Sequence, residues 1–158
     1  MTGDRKSEPT NSFVMCITAN KVVRGSNEDR KKFVSGDYRN LMAWQKAKSL
    51  ALSIYRCTRD FPKDETYGLT SQMRRAAVSV PSNIAEGKGR YSHKDFVHFL
   101  YQARGSLLEL ETQLLIARDL QYIERPIFES LELETEELSR ILNGLINRFQ
   151  VEDRAVRS

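Results

Sequence analysis

The stretch RRAAVSVPSNIAEGKGR, residues Arg74 to Arg90, decides the fold because its side chains separate into three groups around a helix. The first group, which begins one residue before the stretch, predicts a bundle core face and comprises Met73, Ala76, Val80, Ile84 and Gly87. The second group is a narrow polar row of Arg75, Ser79, Ser82 and Glu86. The third group is apolar and lies opposite the core: Val78, Pro81 and Ala85. A helix with two apolar sides is expected to be buried on both.

An interior proline next to polar residues raises the question of a working site. Pro81 removes one helical hydrogen bond and bends the helix, at a typical cost of about 3 kcal/mol. The wheel places Asn83 at the edge of the core and Glu86 in the polar row. We therefore interpret the stretch as an assembly surface. It ends in a basic turn where Gly87 or Gly89 takes the left-handed conformation that stops helices.

The flanking sequence predicts three further long amphipathic helices with short connections. The first carries its apolar face on Trp44, Ala47, Ala51, Ile54 and Tyr55. It stops before Pro62, and the second helix starts near Glu65. Ser92 and Asp95 form a capping box that opens the third helix, and Pro126 suits the first turn of the fourth. The sequence thus predicts an all-α fold, an up-down-up-down antiparallel four-helix bundle.

The chain divides into three regions by pattern. Residues 1–36 show no sustained period and predict a disordered N-terminal arm, residues 37–150 form the bundle domain, and residues 151–158 form a C-terminal tail. With 158 residues and 40% hydrophobic content, one domain with a single core is expected. The two cysteines lie far apart, which indicates no disulfide framework or metal site. No cofactor is expected. We expect a cytoplasmic protein with no membrane span and no signal peptide.

The third helix repeats the two-sided pattern of the second. Beyond its core face it carries a second apolar row: Val97, Tyr101, Leu108 and Leu115. Gly105, on the same helix, permits close approach of another backbone. Two helices with two apolar faces exceed the needs of one four-helix core, so the sequence predicts a ring-like homo-oligomer.

Charge is distributed unevenly along the chain. The net charge is +4, yet residues 40–90 carry nine basic and four acidic side chains, whereas residues 126–158 carry four basic and seven acidic ones. This polarity favours an anionic partner for one face, or self-association between unlike faces. The alternative is that these charges coat solvated helix faces.

Three segments resemble the four-helix bundle family encoded in intervening sequences of bacterial 23S ribosomal RNA genes: NLMAWQKAKSLALSIY, FPKDETYGLTSQMRRAAVSVPSNIAEGKGR and FLYQARGSLLELETQLLIA. The resemblance covers about residues 38–150. It implies a homopentamer and no established enzymatic activity. The family is similar to the accessory variability proteins of diversity-generating retroelements, which implies nucleic acid and a reverse transcriptase as partners.

The first functional hypothesis is a nucleic-acid-binding module for RNA or DNA. Its proposed phosphate contacts are Lys46, Lys48, Arg74, Arg75, Lys88 and Arg90. Three aromatic residues could stack bases, although core or interface packing is the commoner role: Trp44, Tyr91 and Tyr101. The alternative is that Arg75 pairs with Glu86 or with a neighbouring subunit while the other basic residues are only solvated.

The second hypothesis is an enzyme, in which Asn83, Glu86, Arg104 and Glu109 converge between helices two and three. No phosphate loop, nucleophile elbow or acid pair of recognised spacing supports it. A structural ion pair of Glu86 with Arg104 or Arg75 explains these residues better, so we predict no catalysis and assign them to a polar network or interface. The third hypothesis is a protein–protein adaptor or scaffold for a polymerase or ribosome-related partner, without direct nucleic-acid contact.

Overall fold

The computed structural model describes residues 37–90 and 92–157. Contacts divide the chain into two units, Met1–Ser35 and Gly36–Ser158, and the arm predicted over residues 1–36 lies outside the described residues. Four α-helices follow one another within the second unit: α1 Met42–Cys57, α2 Leu69–Lys88, α3 His93–Asp119 and α4 Arg125–Arg157. Short 3-10 helices occur at Tyr38–Asn40, Thr58–Asp60 and Lys63–Thr66, and the described part of the chain contains no strand.

The helices form an antiparallel four-helix bundle, as predicted. Each helix packs against the next one in the chain, and α1 also packs against α4, so every helix has two neighbours in the bundle. Bonds between α1 and α4 show the opposite directions of these helices: Lys46 meets Glu137, whereas Ser53, further along α1, meets Glu134, further back on α4. Short connections give neighbouring helices the same antiparallel relation.

The core contains the residues that the helical period selected on α2. All five members of the predicted core face are buried: Met73, Ala76, Val80, Ile84 and Gly87. Two details differ elsewhere. The buried face of α1 includes Ala43 and Leu50, and Tyr55 is exposed. Val97 on α3, predicted for the outer row, is only 8% exposed and belongs to the core. None of the described helices has a stretch that is long and apolar enough to cross a membrane.

Two helix ends show how local chemistry sets the boundaries. The predicted cap of α3 is confirmed, since the backbone N–H of Asp95 donates to Ser92 Oγ at 3.0 Å. The start predicted for α2 near Glu65 is wrong by about one turn. Glu65 lies in a 3-10 helix, and its carboxylate accepts the N–H of Leu69, the first residue of α2. A carboxylate at this position satisfies a donor that has no partner within the helix.

Two other boundary predictions differ from the structure. Gly89 follows the last residue of α2 with φ −75°, and no described glycine has a positive φ, so the predicted left-handed stop is wrong. Helix α4 continues through Arg157, into the segment 151–158 that the sequence assigned to a tail. That segment contains neither glycine nor proline and therefore nothing that stops a helix.

Candidate nucleic-acid and subunit interfaces

Two of the six predicted phosphate contacts lie on α1 and have partners within the chain. Lys46 Nζ lies 2.8 Å from Glu137 Oε2, and both side chains are half-buried, so this pair joins α1 to α4. Lys48 Nζ lies 5.4 Å from the centre of the Trp44 ring. Lys46 therefore has a structural role, whereas Lys48 is exposed at the surface above an aromatic ring.

The basic turn after α2 also interacts with neighbouring rings. Lys88 Nζ lies 5.8 Å from the ring centre of Phe96, and burial of the ammonium lowers the pKa of Lys88. The guanidinium of Arg90 lies 5.0 Å from the ring centre of Phe99. These contacts hold the turn against the first residues of α3.

Glu86 pairs with a different residue from the two predicted. Its Oε1 accepts a hydrogen bond from Arg90 Nη2 at 2.6 Å, in an i,i+4 geometry on the helix surface. Arg104 instead donates to Asn143 Oδ1 of α4 at 3.2 Å. The predicted ion pair of Glu86 with Arg75 or Arg104 is therefore wrong, because the neighbour one turn away is closer in sequence and space.

The four polar residues of the enzyme hypothesis have separate partners. Asn83 Nδ2 donates to the backbone oxygen of Ser79 at 2.9 Å and to Ser79 Oγ at 3.0 Å. Ser79 Oγ in turn lies 2.9 Å from Ser106 Oγ, so this network joins α2 to α3. Glu109 accepts from Gln113 Nε2 at 3.1 Å. Asn83 thus takes part in a hydrogen-bonded network between α2 and α3.

Helix α2 continues without a break through Pro81. The proline has no N–H to donate to the carbonyl one turn earlier. Side chains on the following residues bond to carbonyls nearby: Ser82 Oγ donates to the Val78 oxygen at 2.8 Å, and Asn83 donates to that of Ser79. The bend expected at Pro81 stays a prediction.

Arg74 and Arg75 differ in their contacts: the guanidinium of Arg74 is held by neighbouring residues, whereas that of Arg75 is not. Arg74 Nε donates to Thr58 Oγ1 at 2.9 Å and its Nη2 to the Thr58 carbonyl at 3.3 Å, while the guanidinium lies 4.9 Å from the Tyr55 ring centre. Arg75 is exposed and makes no hydrogen bond or ion pair with any described residue. Of the three arginines among the six basic candidates, Arg75 has the guanidinium most available to an outside ligand.

Arg75 lies in an open groove of about 590 Å³ between α1, α2 and α3. We call it the Arg75 groove and define it by seven of the residues that line it: Tyr55, Thr66, Thr70, Ser71, Arg74, Arg75 and Glu109. These seven residues contribute two guanidinium groups, three aliphatic hydroxyls, the phenol ring of Tyr55 and one carboxylate, and Ala76, Val78 and Ser79 complete the lining. Guanidinium and hydroxyl groups donate hydrogen bonds to phosphate oxygens, so the groove has the chemistry of an oxyanion site.

Two buried polar atoms at this level of the α2–α3 contact lack hydrogen-bond partners among the described residues. They are Oγ1 of Thr70, a residue only 6% exposed, and Oε1 of Gln113. Thr70 lines the groove, and Gln113 bonds to Glu109, which lines it too. A buried polar atom without a partner costs about 1–3 kcal/mol, so these two atoms indicate a place between α2 and α3 where a buried water completes the bonding.

Sequence reasoning missed an exposed aromatic residue that follows the groove residue Thr66 in the chain. Tyr67 follows Thr66 in the connection between α1 and α2, and its side chain is 95% exposed. A large aromatic ring that is almost wholly in water suits base stacking or partner contact. The sequence did contain a signal for Tyr67, because this aromatic residue lies in a connection between helices and belongs to no apolar helical row.

The aromatic residues proposed earlier for stacking have other contacts. Trp44 packs edge-on against Tyr38, with ring centres 5.2 Å apart. The Tyr101 hydroxyl accepts from Gln150 Nε2 at 2.7 Å, and the Arg104 guanidinium lies 4.8 Å from its ring centre. Tyr91 lies outside the described residues.

An apolar row runs along the outer face of α3. We call it the α3 seam and define it by five exposed residues at alternating spacings of four and three: Tyr101, Gly105, Leu108, Thr112 and Leu115. This spacing is the heptad pattern by which one helix packs against another. Leu108 is 53% exposed, so no other described residue covers the middle of the seam.

Glycines on α2 and α3 have opposite surroundings. A Cβ added to Gly87 would lie 2.5 Å from Phe99 Cβ, so Gly87 is where the two helices approach closely. A Cβ added to Gly105 would meet nothing within 4 Å. The close approach predicted at Gly105 is therefore not made within the described part of the subunit, and Gly105 leaves an open notch in the α3 seam.

Within residues 37–90 and 92–157, no group of three or more His, Cys, Asp or Glu side chains is arranged to hold a metal ion. Cys57 is a partly buried free thiol, and burial raises its pKa to about 11. A thiol with a raised pKa is a poor nucleophile at neutral pH.

Comparison with known proteins identifies the fold and the family. A family model described as "23S rRNA-intervening sequence protein" matches residues 39–144. A solved structure of a protein of unknown function from the S23 ribosomal protein family of Bacteroides thetaiotaomicron is similar, with a TM-score of 0.61 and 24% identity. The match covers 66% of this chain and 98% of that one, and at this identity it shows the fold alone. No curated protein matches the chain.

Proposed function

Because the chain belongs to the family of 23S rRNA-intervening sequence proteins, we propose that it is an oligomeric, non-enzymatic module that binds RNA. The observation that carries this proposal is the Arg75 groove, where an exposed guanidinium without a partner among the described residues lies beside hydroxyl groups. Phosphate contacts of this kind supply most of the affinity of sequence-independent nucleic-acid binding.

Self-association is the second part of the proposal. The α3 seam presents apolar side chains at coiled-coil spacing, and Gly105 leaves room for a side chain of a second copy. The acidic C-terminal segment and the basic segment over residues 40–90 favour contact between unlike faces of neighbouring copies. A closed ring of this type, a pentamer by the family resemblance, would repeat the Arg75 groove in every copy and multiply a weak contact.

The proposal is tested by titrating the protein against a fluorescent single-stranded RNA at several salt concentrations. With one to two phosphate contacts per copy, affinity is expected to fall by about three- to sevenfold between roughly 50 and 200 mM salt. A flat salt response, or no binding at the lowest salt concentration, excludes phosphate-driven association. Native mass spectrometry of the same samples gives the number of subunits with and without RNA.

A protein–protein adaptor is the second candidate function. Its support is two exposed apolar side chains on α1, Met42 and Leu52, which belong to neither the α3 seam nor the lining of the Arg75 groove. Such residues could contact a polymerase, including the reverse transcriptase that the resemblance implies, or a ribosome-related protein. Affinity capture of that partner should then survive nuclease treatment, whereas an RNA-mediated association should not.

A further inference from the structure

We propose that the Arg75 groove holds one unpaired nucleotide of single-stranded RNA, with its phosphate at Arg75, its base beside Tyr67, and a base amino group donating to Glu109. This inference rests on the proposed function and specifies the ligand of the same site. The volume of the groove, the charges of its side chains, the exposed ring of Tyr67 and the hydroxyl groups of the lining support this assignment.

The size of the groove selects a ligand the size of a nucleotide. Its volume of about 590 Å³ lies in the middle of the range of about 300–1,000 Å³ typical of small-molecule sites. The lining residues come from four elements within one subunit: α1, the 3-10 helix Lys63–Thr66, α2 and α3. A double helix would touch only the rim of such a groove, whereas an unpaired nucleotide can enter it.

The charges of the groove do not suit a continuous row of bound phosphates. Arg75 and Glu109 line the same groove, and they are not within ion-pair distance of each other. A carboxylate beside a row of phosphates would be repelled, but a carboxylate accepts hydrogen bonds from the amino group of a base. The mixed charges therefore suit a nucleotide with its phosphate at the arginine and its base at the carboxylate.

Exposed rings provide the stacking surface. One face of Tyr55 is covered by the Arg74 guanidinium, which its bonds to Thr58 hold in place. Tyr67 is 95% exposed and lies next to the groove residue Thr66 in the chain, so both faces of its ring are open to a base. Stacking of a base on an aromatic ring contributes about 1–3 kcal/mol and tolerates any base.

Hydroxyl groups complete the site. Thr66 Oγ1 donates to the Lys63 carbonyl at 2.7 Å and keeps its lone pairs for a donor such as a ribose 2′-hydroxyl. Thr70 Oγ1 is a buried hydroxyl without a hydrogen-bond partner among the described residues. Because this oxygen is itself covered, a buried water molecule beside it, rather than the nucleotide, would supply the missing bond.

The test uses fluorescence anisotropy with labelled oligo(C) and oligo(U) of twelve nucleotides and an RNA duplex of equal length. The wild-type protein should bind both single strands more tightly than the duplex. It should prefer oligo(C) by about tenfold, because cytosine presents an amino group where uracil presents an oxygen. Arg75→Ala and Tyr67→Ala should each weaken oligo(C) binding by about tenfold. Glu109→Gln should abolish the preference for oligo(C), since an amide can bond to either base.

Control variants and subunit mass separate the possible outcomes. Arg140→Ala and Glu132→Gln remove exposed charges on α4 outside the groove and should change neither affinity nor preference. If the wild type binds RNA while the Arg75 and Tyr67 variants bind it equally well, the groove proposal is wrong and the proposed function stands. If the wild type binds no RNA, both are wrong. An Arg75→Ala variant with an altered oligomer mass would identify the groove as a subunit interface and overturn the nucleotide site.

Discussion

At the scale of single residues, Gly87 differs from the other helical glycines because α2 and α3 touch at this point. A methyl group at Gly87 would collide with Phe99, whereas one at Gly144 on α4 would meet nothing within 4 Å. We predict that Gly87→Ala lowers the free energy of unfolding by about 1–3 kcal/mol, because overpacking outweighs the gain in helix propensity. Gly144→Ala should raise it by about 0.5–1 kcal/mol. Urea unfolding followed by circular dichroism measures both, and equal effects at the two sites would contradict the contact.

Glu134 makes the stability of the bundle depend on pH. Burial between α1 and α4 raises its pKa above the ordinary 4.5, although the hydrogen bond from Ser53 and the charge of Lys46 offset part of this effect. The folded state therefore holds the proton more tightly than the unfolded state. It follows that the free energy of unfolding falls as pH rises from about 4.5 through the raised pKa.

The Glu134→Gln variant tests this dependence. We predict a higher urea midpoint than wild type at pH 7, because the amide carries no buried charge, and the same midpoint near pH 4, where Glu134 is protonated. Glu132→Gln, at an exposed position on the same helix, should leave the midpoint at pH 7 unchanged. A Glu134→Gln variant that is less stable at pH 7 would show that the attraction of Lys46 outweighs the cost of burial.

At the scale of helices, the α3 seam carries the prediction about assembly. Leu108 is 53% exposed in the subunit and lies at the middle of the seam, so a charge there should disperse the oligomer without unfolding the bundle. Leu108→Glu is therefore expected to be monomeric by light scattering, with unchanged helix content. Leu133→Glu is the matched control, since Leu133 is 65% exposed on α4 outside the seam, and it should remain oligomeric. Wild-type protein that is monomeric at micromolar concentration would refute the assembly itself.

Some features of the helices could be predicted from the sequence and others could not. The core face of α2 and the cap at Ser92 were predictable, because a helical period and a capping box are local patterns. The exact face of α1 was not predictable: Leu50 is buried and Tyr55 is 45% exposed, because the contacts with neighbouring helices that decide this are not local in sequence. The start of α2 was missed because the Glu65 carboxylate caps the helix from outside, a role that periodicity does not report.

The candidate site was less predictable than the fold for a related reason. The Arg75 groove brings together Tyr55 and Glu109, which lie on different helices far apart in the chain. Only Arg74 and Arg75 of its defining residues were chosen as phosphate contacts from sequence. Among the other basic candidates, Lys46 and Arg90 pair with carboxylates, whereas Lys48 and Lys88 lie over aromatic rings. Charge alone does not distinguish an engaged cation from an available one.

At the scale of the whole molecule, the proposed oligomer and the proposed RNA site depend on each other. A single Arg75 groove offers few charge contacts, so one copy is expected to bind RNA weakly. Several copies linked in one assembly can engage a long RNA at once, and this raises the affinity without any new contact. The strength of binding should therefore depend on RNA length in the oligomer and not in the monomer.

The Leu108→Glu variant separates the two contributions. It leaves every residue of the Arg75 groove in place, so an oligonucleotide short enough to occupy one groove should bind it as tightly as wild type. An RNA long enough to span several copies should bind it at least about a hundredfold more weakly, because multivalency is lost. Anisotropy titrations with both RNAs, at one salt concentration and with Leu133→Glu as control, measure this difference. Equal losses on the short and the long RNA would mean that the seam itself contacts nucleic acid, and no loss on either would mean that each groove acts alone.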